Sequence, residues 1–356
     1  MKALALEAAR RRGDARADAL VAKLGPRVWA VNALLRDVRT NSDPLPDSLP
    51  EEVRDFFADH VVVPEWLNRG RVLNAQRWAE RHLFHVTVAL FCAALPSAYA
   101  AAQGARVLAG TGRMAGDLDR RVNETARFLL AVLKPYSLDP EGAALPMIRK
   151  VRLMHAAVRQ LLQATGEFSD EIPINQEDLA GTLLGFSVVV LRAVRRLGVR
   201  VEAAEAEDFY HLWRGVGAML GVEESSLPRD FAAACRAADL IAERQFRPSP
   251  HGRALMAALL ARTEAHVGLP GFRSSPAFLV RYLLGDRTAD ILGLPAAENS
   301  RSPMLAHWNG FLRSSLQSLS LRAAPVIGQK LLEAVVSVKL GSTETRFAMP
   351  TRLTLE

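Results

Sequence analysis

Cysteine is nearly absent from this 356-residue chain: it has two, Cys92 and Cys235. Two thiols so far apart cannot build a disulfide framework, a zinc cluster or a C-x-x-C-H haem attachment. They fit a reducing compartment, as buried thiols. Aromatic residues make up only 6% of the sequence, and lysine is so scarce that arginine supplies nearly all of the positive charge. Motifs of the common enzyme classes are missing as well. There is no G-x-S-x-G, no phosphate-binding G-x-x-x-x-G-K, no G-x-G-x-x-G after a strand and no H-E-x-x-H. Hydrolase and nucleotide-enzyme chemistry therefore have no support. The basic N-terminus, MKALALEAARRRGDARADALVAK, has no apolar run behind it, so neither a secretory nor a twin-arginine signal is expected. A cytoplasmic location is the expectation.

What is present is a large apolar fraction, 49%, beside 23% charged residues and a net charge of +7. That supply of apolar residues can fill a substantial core. The arginines are spread along nearly every helical segment rather than gathered in one patch, which describes a solvated surface better than a nucleic-acid footprint. Nucleic acid is not an expected partner.

Helical periodicity dominates, and the pattern predicts an all-α protein without internal repeats. Two helical patterns broken at Gly25-Pro26 form an N-terminal arm over residues 1–50, closed by the connector NSDPLPDSLP at Asn41–Pro50; residues 51–356 form a single helical domain. The most apolar stretch, Leu83–Ala102, is long enough to cross a membrane. His85, Pro96 and the flanking arginines argue instead for two buried helices meeting at Pro96. A peripheral membrane contact stays open. Further helices are predicted at Asp117–Leu133, Pro146–Thr165, Asn175–Arg196 with Asn175 as N-cap, Ala203–Leu220, Pro228–Phe246, His251–Val267, His307–Leu321 and Ile327–Leu340. Arg281–Leu294 reads as a pair of short turns, and only Thr345–Glu356 has the alternation of a strand.

The segment Pro146–Thr165 carries the sharpest chemical signal. Val151, Met154, Val158, Leu161 and Leu162 form an apolar stripe, and His155 lies beside it with Arg152 three residues before and Arg159 four after, all on one face. An imidazole can ligate porphyrin iron from one side and leave the other open to dioxygen, and arginine forks suit the two propionates. On pattern alone, a satisfied core histidine between two surface arginines stays open. The preceding helix offers a second constellation: Arg121, Glu124, Thr125 and Phe128 share a face. They are either a surface ion pair with its neighbours or, if buried, the distal side of a pocket. The 34 residues from Arg121 to His155 make a helix, a loop and half a helix, enough to place two helices across a flat cofactor.

Five runs in order, A-L-P-S-A-Y-A at Ala94–Ala100, A-G-T-G-R at Ala109–Arg113, R-x-x-E-T at Arg121–Thr125, V-R-L-M-H-A-A-V-R at Val151–Arg159 and I-N-Q-E-D-L-A at Ile174–Ala180, resemble the latex clearing protein and MpaB-like oxygenase family over roughly residues 60–295. The resemblance implies a globin-like helical core with added N- and C-terminal helices, holding one haem b. It implies His155 as the proximal iron ligand, Arg152 and Arg159 as propionate contacts or support, and dioxygen on the opposite face near Arg121 and Thr125. Rubber-cleaving members read R-x-x-K-T on the distal helix, and that lysine can occupy the iron in a closed form. Here the position is Glu124, a candidate proton donor or acceptor. The rubber-cleaving members are also secreted, and the distal glutamate they use as a base has no evident counterpart here. The expectation is an oxygenase for a small apolar substrate, isoprenoid or aromatic, rather than for polyisoprene. The alternatives are a haem-binding or sensing protein without turnover, and an arginine-rich protein of nucleic-acid or membrane surfaces.

Overall fold

The computed structural model describes residues 3–110, 118–166, 168, 171–267 and 275–296. Seventeen α-helices are found among them: α1 (Ala3–Arg10), α2 (Ala15–Leu24), α3 (Val28–Leu34), α4 (Glu51–His60), α5 (Arg69–Arg81), α6 (Leu83–Ala89), α7 (Leu95–Ala100), α8 (Ala102–Gly110), α9 (Leu118–Leu133), α10 (Ala144–Ala164), α11 (Gln176–Leu184), α12 (Val190–Arg196), α13 (Ala203–Met219), α14 (Phe231–Gln245), α15 (Pro250–Val267), α16 (Ser275–Leu284) and α17 (Asp286–Ile291). Among the described residues there is no strand, only an isolated bridge between Ala101 and Phe246. The protein is all-α. The helices expected at His307–Leu321 and Ile327–Leu340, and the strand at Thr345–Glu356, lie outside the described residues.

Helix starts follow local chemistry. Asp14, Asn68, Asn175 and Asp230 each accept a backbone N–H from the first turn of α2, α5, α11 and α14, and Glu202 with Glu205 closes a reciprocal box on α13. The pattern at Pro64-Glu65-Trp66 predicts a helix opening there and running to about Arg81; instead residues 64–68 turn first, and Asn68 starts the helix. Likewise Arg281–Leu294 is not a pair of loose turns but the end of α16 and the whole of α17.

Two places depart from α geometry in a way periodicity does not reveal. Residues 90–94, between α6 and α7, and residues 185–189, between α11 and α12, are π-helical turns, and the two pack against each other. The first answers a problem set by Pro96, which has no N–H to give the preceding turn; a widened turn just ahead of it re-routes the backbone bonds. The expected break at Pro96 is therefore a continuous but widened helix, and the chain turns sharply only at Ala101. Leu83–Ala100 is the one described segment long and apolar enough to cross a membrane, and it is largely buried within the protein.

The main core is built from α1–α6 and α9–α14, and Leu6, Leu20, Leu24, Val31 and Leu35 of the N-terminal arm sit in it beside Trp78, Ile148 and Trp213. The arm is thus packed into the body and shares its core. A second cluster joins α7, α8, α15, α16 and α17 around Tyr99, Met256 and Leu292. Within this frame α10 lies against α2 on one side and α9 on another.

Candidate active site

Helix α10 runs from Ala144 to Ala164, two residues earlier than the pattern places its start. Pro146 sits in the first turn, where its N–H would have no intrahelical partner. Ile148, Val151, Leu153, Ala156, Ala157, Val158 and Leu162 are buried, so apolar side chains surround much of the helix, not a single stripe. His155 is carried among them. Its Nδ1 is fully buried and has no hydrogen-bond partner among the described residues. Burial, then the neighbouring Arg159, pushes its pKa down to about 4, with Asp14 opposing. The imidazole is therefore neutral at physiological pH and keeps a lone pair for a ligand.

The two flanking arginines are engaged elsewhere than the propionate reading places them. Arg152 makes a two-pronged bond to Asp14, Nε to Oδ2 at 2.6 Å and Nη2 to Oδ1 at 3.0 Å, and donates through Nη1 to the His60 and Met219 carbonyls. Arg159 donates through Nε to both Asp18 oxygens at 2.8 and 3.0 Å and through Nη1 to the Ile174 carbonyl. Both guanidiniums are buried and turned towards the N-terminal arm. Of the two roles the resemblance implies, propionate contact or support, Arg152 has the contacts of a support, while Arg159 keeps a buried donor, Nη2, with no partner among the described residues. Asp14 and Asp18 supply carboxylates within the fold, but only Arg152 is held two-pronged; Arg159 meets Asp18 through Nε alone.

Helix α9 packs against both α10 and α5. Glu124 is buried on it, with Val122, Ala126, Phe128 and Leu129, while Thr125 is half-buried. Arg127 feels the Glu124 carboxylate: burial lowers the Arg127 pKa and Glu124 opposes that. Arg121 belongs to the same helix, one turn before Glu124, and its side chain lies outside the described residues. Glu124 and Phe128 are thus buried, and Thr125 half-buried, on a helix packed against the His155 helix. Phe91 of the first π-turn packs on Ala126 and Leu130 of that helix, which brings a widened turn to the same region. Single π-turns recur at functional sites.

The I-N-Q-E-D run has a clear structural meaning. Ile174, with φ of +53°, turns its carbonyl to Arg159, and Asn175 caps α11. Gln176 is fully buried and fully used: its N–H donates to the Arg12 carbonyl, its Nε2 to the Gly13 and Gly221 carbonyls, and its Oε1 accepts from Glu223 N–H. Glu177, also fully buried, takes Arg10, Arg244 and Gln245. Asp178 lies beside Arg10; burial pushes its pKa up to about 6 against that pull.

Among the described residues no group of three or more His, Cys, Asp and Glu side chains could hold a metal ion. A porphyrin brings four nitrogens of its own and asks the protein for one axial imidazole. A neutral, half-buried histidine whose Nδ1 has no partner among the described residues fits that request.

Comparison with known proteins is informative at this point. Residues 78–314 match the family described as "ER-bound oxygenase mpaB/B'/Rubber oxygenase, catalytic domain". The chain belongs to this family. Within the MpaB and rubber oxygenase family, a rubber oxygenase from Streptomyces sp. (strain K30) is 27% identical over 336 residues, spanning 90% of this chain and 80% of that protein. A solved structure of latex clearing protein LCP in the closed state aligns with a TM-score of 0.77 at 26% identity, covering 96% of this chain and 94% of that one. The family is one of oxygenases, and the protein is an enzyme of that class.

Sequence reasoning missed Asp14 and Asp18, the partners of the two arginines, and the π-turns. Asp14 and Asp18 are one helical turn apart, as carboxylates facing a common surface must be, yet nothing local ties them to residues 138 and 141 positions later.

Proposed function

We propose that this protein is a haem b-dependent oxygenase acting on a small apolar substrate, in which His155 would hold the haem iron. The observation that carries the reading is the buried His155 Nδ1 without a partner, on a helix packed against the one that bears buried Glu124. A bound haem supplies an iron that activates dioxygen. The chain's own residues do the rest. His155 holds the group through a neutral imidazole. Thr125 and Arg121 are hydrogen-bond donors for the reacting oxygen, and Glu124 holds or moves a proton near it. Phe128 and Leu129, buried beside Glu124, exclude water and favour an apolar, isoprenoid or aromatic substrate over a charged one. The favoured chemistry is oxygen insertion into, or oxidative cleavage of, a carbon–carbon double bond.

The test begins with the absorption spectrum of the purified, haem-reconstituted protein. A Soret band that is lost or shifted in His155→Ala supports the reading. A colourless protein, or a His155→Ala variant with an unchanged spectrum, overturns it. Oxygen uptake with alkenes and phenols then separates turnover from haem binding alone.

A further inference from the structure

The charged residues around His155 are arranged as two ion pairs reaching across from another helix, the Arg152 pair two-pronged and the Arg159 pair made through Nε alone. Arg152 lies one turn before the histidine and Arg159 one turn after it. Their carboxylate partners, Asp14 at the N-cap of α2 and Asp18 in its first turn, both come from the N-terminal arm. Backbone clearance for both pairs comes from glycine. A Cβ on Gly13 would stand 2.5 Å from Asp18 Oδ2 and 2.8 Å from Arg159 Nε. One on Gly221 would stand 2.1 Å from Asp14 Oδ2 and 2.8 Å from Arg152 Nε. Gln176 then ties the two glycine carbonyls together through a single amide nitrogen. Two ion pairs, two glycines that admit them and one glutamine that joins the glycines form a single unit around the helix that bears the histidine.

We propose that Asp14 and Asp18 are positioning residues for the iron site: through Arg152 and Arg159 they fix the rotation of the His155 helix and cancel two cations that would otherwise lie beside the iron. This rests on the haem reading above. The physical argument is one of field as well as fit. A buried guanidinium without its counter-ion acts at low dielectric over several ångströms. Positive charge beside an iron disfavours the ferric state, which carries one more positive charge than the ferrous state, so uncovering either arginine raises the ferric/ferrous midpoint. The Asp14 pair is buried on both sides, whereas Asp18 is about one-third exposed and partly screened by water. Asp14 should therefore matter more.

The experiment compares full-length haem-loaded protein with Asp14→Asn, Asp18→Asn, the charge-free pair Asp14→Leu/Arg152→Met, and Asp239→Asn. The last variant breaks an exposed pair with Arg192 that is remote from α10. The readouts are the ferric/ferrous midpoint by spectroelectrochemistry, the rate of haem transfer to apomyoglobin, and circular dichroism for the fold. The expected result is an upward midpoint shift and about tenfold faster haem loss in Asp14→Asn, a smaller change of the same sign in Asp18→Asn, and none in Asp239→Asn. The charge-free pair should bring the midpoint back towards wild type even where haem loss stays fast, which a purely structural role would not do. Midpoints unchanged in the folded aspartate variants overturn the proposal while leaving the haem reading intact. If Asp14→Asn does not fold, Asp18→Asn and the charge-free pair decide the matter. A His155→Ala protein with an unaltered spectrum removes the haem reading itself and this inference with it.

Discussion

Gly221→Ala should be among the most damaging methyl additions available in this protein, and Gly198→Ala measures how much of that damage is backbone strain alone. Both glycines follow a helix, α13 and α12, with φ of +87° and +93°. Forcing an L-residue into that region costs about 1–2 kcal/mol. At Gly198 nothing lies within 4 Å of the added Cβ, so the cost should end there. At Gly221 the new carbon would sit 2.1 Å from Asp14 Oδ2, more than an ångström inside contact distance. Asp14 is 6% exposed and has nowhere to retreat without losing its 2.6 and 3.0 Å bonds to Arg152. Leaving that guanidinium buried and unpaired adds about 3–5 kcal/mol. With a denaturant slope of about 3 kcal/mol/M, that excess separates the urea midpoints of the two variants by about 1–1.7 M. In an Asp14→Ala background the excess should vanish, because the obstructing carboxylate is gone and the pair already broken. Equal midpoints for Gly198→Ala and Gly221→Ala would refute the reasoning, and so would an excess that survives in the Asp14→Ala background.

Other outcomes follow from single contacts. His211 accepts Asn68 N–H through Nε2 at 2.9 Å, and burial with Arg71 and Arg214 nearby pushes its pKa down to about 4. The unfolded chain therefore takes up the proton first, so this contribution is fully present above pH 6.5 and is lost as the pH falls towards 4; His211→Gln should flatten the dependence by about 2–3 kcal/mol in urea titrations across that window. Gln76 donates to the Val132 carbonyl and Ser137 Oγ and accepts from Tyr136 N–H, closing the turn that ends α9. Gln76→Leu should cost about 2–4 kcal/mol in thermal or urea unfolding, since it strands buried partners; a neutral outcome would mean the turn holds without it. Glu124→Gln should leave haem content unchanged and lower kcat by about 100-fold, measured as oxygen uptake. Unaltered turnover would remove Glu124 from the chemistry.

Where helix starts are set by a single side chain, the sequence is a good guide: Asn175 caps α11 as its neighbours suggest, and α9, α10 and α13 fall within two residues of their expected bounds. The place of His155 beside an apolar stripe is legible because that stripe lies on its own helix. The fate of Arg152 and Arg159 is not, because a guanidinium takes whichever carboxylate tertiary structure brings, and Asp14 and Asp18 arrive from the far side of 130 intervening residues. The π-turns were hidden for a related reason. Residues 90–94 and 185–189 carry the same apolar composition as an α-helix would, and the extra residue per turn is set by Pro96 in the first case and by mutual packing in both. For Pro64 the error is different: a proline can start a helix or the turn before it, and Asn68 decides for the turn.

The arm has a consequence for how the protein is made. Asp14 leaves the ribosome 138 residues before Arg152, which at about 5–20 residues per second leaves α2 without its partner for roughly 7–28 seconds. During that interval Leu20, Val21 and Leu24 have no core to enter, and α10 cannot complete its packing until α2 folds back onto it. Packing of the His155 helix is therefore expected to be among the late events of folding, and a change in α2 should be felt at that helix.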